Sequence, residues 1–220
     1  ISGANNVQRR SDPYFNHVSV EQMMKHITAA TCPVKAPIAN SVPVIGELND
    51  YTIPRSTAYH LVGTATDPDG DTLYYMWEQH NSPQPGRITV TSDNFADNLT
   101  EGPIARSLKP SRSNERYIPR LSQILEGKLS ERNPGPTSAW ETVSSVKRTL
   151  KWAFVVMDKS LGRRDDRETD VSTGNTVYAG VKINVTNNAG PFEVTSQARK
   201  TYWFVGKTCT ITWNVADTDK

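Results

Sequence analysis

Apolar and polar residues alternate with two different periods along this chain, and the change of period marks its organisation. In "NHVSVEQMMKHI", Val20, Met23, Met24 and Ile27 fall at i, i+3, i+4 and i+7, one apolar stripe on a helix. Ser19 is placed to cap that helix with Gln22 reaching back three residues later, and Val18 can staple against Met23. The flanking segments, "ISGANNVQRRSDPYF" and "TAATCPVKAPIANSVP", are polar or proline-rich and offer little to bury the stripe. The helix is therefore expected to dock on a neighbouring domain.

From Pro43 onward the period is two. "AYHLVGTAT" and "LYYMWEQH" read as strands on either side of an acidic turn, with Leu73, Tyr75 and Trp77 on one face and Tyr74, Met76 and Glu78 on the other. "TLKWAFVVMD" aligns Leu150, Trp152, Phe154 and Val156, and "NTVYAGVKINVTN" aligns Val177, Ala179, Val181, Ile183 and Val185. One wet face per strand is the signature of antiparallel sheets. The expected fold is mainly β, an immunoglobulin-like antiparallel β-sandwich with Trp77 in its core, preceded by one amphipathic α-helix. A long insertion over residues 81–147, rich in Pro, Ser, Asn and Arg, contains one short helix candidate, "SQILEGK", ending at Gly127. A loop of that length is usually functional or draped over its domain. The last stretch starts a fresh pattern in which Cys209, Ile211 and Trp213 alternate with Thr210 and Thr212. Two or three strands do not make a domain. The expected organisation is a helical tail and linker over 1–42, the β domain over 43–188, and the start of a further β module over 189–220.

Composition narrows the classes of function. With 220 residues the chain can bury a real core, and its net charge of +2 provides no dedicated nucleic-acid surface. Its densest basic spot, Arg163 and Arg164, is offset by Asp165 and Asp166. No run of about twenty apolar residues occurs, so no membrane span is expected. The first ten residues lack the apolar core of a signal peptide, and a mature secreted fragment would look the same. The two cysteines, Cys32 and Cys209, make no disulfide framework and no CxxC motif. They could bridge each other, remain free, or pair outside the chain.

The sequence shows little that could act as a catalyst. None of the four histidines, His17, His26, His60 and His80, lies in HExxH, and His17 and His26 read as surface residues. Neither a G-x-S-x-G elbow nor a P-loop is present. The acidic turn in "TATDPDGDTLYY" is the one plausible ion site. Asp67, Asp69 and Asp71 stand at alternate positions of a tight turn, where hard oxygen ligands could converge on Ca²⁺. An EF-hand is excluded, because its Gly position is Thr72 and its flanks are strands. In a sandwich, Asp158 after "FVVM" would emerge at the same end as a fourth ligand, with Asp165 or Asp166 near it. The alternative is a Pro-Asp-Gly turn selected for backbone geometry alone.

"NNVQRRSDPYFNHVSVEQM" resembles the segment that follows the Met-turn in reprolysin-like bacterial metzincins, a family of secreted zinc metallopeptidases. "APIAN…VPVIGELNDYTIP…LVGTATDPDGDTLYYMWEQ" is similar to the accessory domain, immunoglobulin- or PKD-like, that follows it, and "NAGPFEVTS…TITWNV" to the opening of the next repeat. One departure is Asn16, which turns the family's Y-F-H into Y-F-N-H. The resemblance implies that the zinc motif HExxHxxGxxH would lie before Ile1, so that Zn²⁺ belongs to the parent catalytic domain and no catalytic residue carries over to this chain. It also implies that the stripe of the first helix packs on that domain and that Cys32 could pair with an upstream cysteine. The expected role is a non-catalytic, extracellular accessory region that supports, spaces or targets the peptidase. The alternative is a stand-alone adhesion or carbohydrate-binding sandwich with a protein or glycan ligand, in which Tyr74, Trp140 or Tyr178 stacks on sugar rings.

Overall fold

Helix α1 covers His17–Ala29 and starts three residues before the position that the Ser19 capping box predicts. Asn16 is the N-cap: its side-chain oxygen accepts the Ser19 amide at 2.9 Å. Ser19 is thus inside the first turn, where its backbone N–H needs an acceptor, and the extra residue in Y-F-N-H supplies it. The computed structural model describes residues 14–32, 39–82, 94–132, 140–158, 174–196 and 199–218.

Beyond α1 the described chain is mainly β. Its strands are β1 (Val44–Ile45), β2 (Tyr51–Pro54), β3 (Tyr59–Val62), β4 (Ala65–Thr66), β5 (Leu73–Gln79), β6 (Glu115–Ile118), β7 (Ser130–Glu131), β8 (Glu141–Thr142), β9 (Arg148–Asp158), β10 (Thr176–Thr186), β11 (Glu193–Val194) and β12 (Trp213–Asn214). A second helix, α2 (Leu121–Leu125), lies between β6 and β7. The main sheet runs β2-β10-β9-β5, and β3–β6, β1–β4, β7–β8 and β11–β12 form two-stranded pairs. All pairs are antiparallel except β2 with β10, which is parallel. The sheet is therefore mixed, and the expectation of a purely antiparallel sheet is corrected there. The chain reaches β2 from β1, which belongs to another pair, so β2 meets the last strand of the main sheet running in the same direction.

The period-two reading places the core faces where they are found. Leu73, Tyr75 and Trp77 of β5, Leu150 to Val156 on the alternate positions of β9, and Val177, Val181, Ile183 and Val185 of β10 share one apolar cluster with Leu61 of β3 and Ile118 of β6. Trp152, Phe154, Ile118 and Leu150 are fully buried. Gly63 is small because Phe154 requires it: a Cβ there would stand 2.5 Å from the ring. The opposite face of the sheet buries Met76, Ala153 and Val155 beneath Tyr14 and Met157.

The insertion is not only draped over the domain. β6 lies within it and pairs with β3, and Phe95, Ile104 and Trp140 enter the main core. A bridge between Ser111 and Tyr75 adds a further stretch of the insertion to the β5 edge. Ion pairs hold this segment in place. Arg116 donates to Glu141 at 2.9 Å and to the carbonyls of Trp77 and Arg106, and its guanidinium lies 5.3 Å over the Trp152 ring. Glu141 also accepts the Arg120 amide at 2.6 Å, while the Arg120 side chain pairs with Glu131. Arg148 donates to the carbonyls of Leu99 and Gly102. Helix α2 matches the expected short helix, and Gly127 after it has the left-handed φ of 71° that ends it.

At the C-terminal end β11 and β12 form a two-residue ladder extended by bonds between Thr195, Ser196 and Thr212. Only Trp213 of the expected alternation lies in a strand; Cys209 and Ile211 precede it. Cys32 and Cys209 are both exposed and unbridged.

Candidate metal site

The acidic turn connects β4 to β5, and its backbone sets the direction of its carboxylates. Asp67 accepts the amides of Asp69 at 2.9 Å and Asp71 at 3.0 Å through one oxygen, so the loop curls around that side chain. Gly70 donates to the Asp67 carbonyl and has φ of 77°, a left-handed conformation that glycine takes without steric cost. Each of the three aspartates thereby presents one oxygen within 4.8 Å of the other two. The second oxygen of Asp67 is shielded from solvent and has no hydrogen-bond partner among the described residues. Three carboxylates at this spacing repel one another, and a cation between them would offset that repulsion. Hard oxygen donors on a short, curled loop suit Ca²⁺, which needs six to eight oxygens, the remainder supplied by carbonyls or water.

Asp158 is not one of this group. It closes β9 opposite Leu73, is buried, and accepts from Asn40 at 2.8 Å and from the backbone and side-chain amides of Asn175. The Asn175 side chain also donates to the carbonyls of Asn40 and Ser41. Ser41 in turn donates its amide and hydroxyl to Asp69. The carboxylates at this end of the sheet thus hold down the segment that leads from the helix to β1. Asn40, Ser41 and Asn175 were missed in the sequence, and their only signal is that they are amides and hydroxyls at strand ends. Asp165 and Asp166 lie outside the described residues.

The histidines divide differently from the expectation. His26 is exposed, but His17 is only 5% exposed, at the first position of α1. Its backbone N–H donates to the buried carboxylate of Glu78, and its ring packs edge-on against Tyr178 at 4.0 Å and His80 at 5.1 Å. Burial, and then His80, hold the His17 imidazole below the usual histidine range; burial and then Lys151 do the same for His80. Burial pushes the Glu78 carboxyl up. Val18, Ser19 and Val20 are half-buried, and from Glu21 on α1 is exposed, with Met23, Met24 and Ile27 between 38% and 54% exposed. The aromatic residues named for sugar stacking are largely occupied. Trp140 is buried against Phe95, Arg112 lies 5.4 Å over Tyr74, and Tyr178 is covered on one side by His17. His60 stacks on Tyr117 at 3.9 Å and bonds Glu115.

Among the described residues no helix is long and apolar enough to cross a membrane. No family model, curated protein or solved structure matches the chain.

Proposed function

We propose that this chain is the accessory region of a secreted zinc metallopeptidase, built on an immunoglobulin-like or PKD-like β-sandwich, and that it positions the peptidase domain rather than performing chemistry. The observation that carries this reading is helix α1. Its first turn is fixed to the main sheet through His17, while Met23, Met24 and Ile27 of its apolar stripe remain exposed. A helix anchored at one end with its apolar face turned outward suits a connector that another domain completes. The core shared by the main sheet with β3 and β6 supports the sandwich type, and the parallel β2–β10 pair fits a first strand that changes sheets. Exposed Phe192, Val194 and Trp213 around the last ladder support the opening of a further module. The Asp67, Asp69 and Asp71 turn is assigned a structural Ca²⁺ that stiffens one end of the module. The zinc of the parent enzyme belongs to residues outside this chain.

The test is direct. The purified chain should leave casein intact with zinc added, and the coding sequence should show HExxHxxGxxH within about a hundred residues upstream of Ile1. Robust zinc-dependent proteolysis by the chain itself, or an upstream sequence without the motif, overturns the reading.

A further inference from the structure

His17 joins α1 to the main sheet through ionisable groups: Glu78, His80 and Tyr178. His17 is buried at the first helical position, with the Glu78 carboxylate on its backbone N–H. A carboxylate there suits the positive end of the helix dipole, and a cationic imidazole does not. The His17 Nδ1 is enclosed and has no hydrogen-bond partner among the described residues, so a proton placed on it would be a buried donor with no acceptor. The second imidazole, His80, stands 5.1 Å from the first, where two positive charges would repel. We propose that His17 and His80 form a pH-operated latch, which holds α1 on the sheet at neutral pH and releases it as the pH falls.

The surrounding charges define how far the latch can move. Glu21 on α1 favours a proton on either imidazole, Lys151 on β9 opposes one on His80, and Tyr178 on β10 stays neutral throughout. Burial and like charge outweigh Glu21, and both imidazoles are held below their free value of 6.5. The undocked state therefore binds more protons just below that value, and docking weakens as pH falls through it towards the lower docked values. Burial raises the Glu78 carboxyl, against hydrogen bonds from Ser107 and the His17 N–H and the charge of Arg116. The release thus falls in the mildly acidic range. The latch does not depend on which domain α1 connects to.

The experiment is amide hydrogen exchange on the full chain from about pH 7.5 to about pH 5, expressed as protection factors for α1 and for β9. Protection in α1 should fall about tenfold over this range while β9 holds. His17→Phe removes one charge and retains a ring, so its α1 protection should fall clearly less with pH than in the wild type, with His80 alone left to titrate. His80→Gln should shift the wild-type transition to lower pH. Constant α1 protection in the wild type, or the same fall in His17→Phe, overturns the latch. An unmoved transition in His80→Gln overturns the pairing of the two imidazoles.

Discussion

Replacing Arg116 by Met should destabilise the fold through the group it leaves behind. Glu141 is fully buried, and its two oxygens are held by Arg116 at 2.9 Å and by the Arg120 amide at 2.6 Å. Without the guanidinium, one hydrogen bond remains for a carboxylate that water does not reach, and the Trp77 and Arg106 carbonyls lose their 2.7 Å donors. Breaking one side of a buried pair costs about 3–5 kcal/mol, a large part of a typical domain's stability. Urea unfolding followed by the fluorescence of buried Trp77 and Trp152 should show a midpoint lower by about 2 M at an unchanged slope. Burial already holds the Glu141 carboxyl above its ordinary range, against the pull of Arg116. A raised carboxyl stabilises the fold as it takes up a proton, so the deficit of Arg116→Met should shrink between about pH 7 and about pH 5. The double variant Arg116→Met/Glu141→Leu removes both charges and should recover to within about 2 kcal/mol of the parent. A single-variant loss below about 1 kcal/mol, or no recovery in the double variant, would show that Glu141 does not depend on the guanidinium.

Calcium at about 10 mM should stabilise the chain by about 1.4 kcal/mol if its Kd is about 1 mM, and Asp67→Asn should abolish that gain while keeping the oxygen that organises the turn. A melting temperature indifferent to calcium leaves the loop as a plain turn. Gly63→Ala should cost about 1–3 kcal/mol, because its new methyl would stand 2.5 Å from the fully buried Phe154 ring; an unchanged melting temperature would show that the ring can move aside.

Much of the architecture was legible in the chain because strand faces obey a local rule. Side chains alternate every two residues, so Leu150, Trp152, Phe154 and Val156 had to share a face, and they do. The acidic turn was legible for the same reason, since Asp67 bonds amides two and four residues away. The helix stripe was also local, but its start was not: capping depended on Asn16, and Ser19 offered an equally sound box.

Local pattern was enough for the β character of the chain, its inward faces, the amphipathic helix and the clustering of three aspartates on one loop. Each depends on neighbours within a few positions, where the backbone's own period and hydrogen bonding are enough. Long-range packing instead pairs β6 of the insertion with β3, makes Asp158 clamp Asn40 and Asn175 apart from the turn, and buries His17 between Glu78, His80 and Tyr178. Those contacts join residues 17 to 161 positions apart. Their energies come from burial and pairing that exist only once the main sheet has closed.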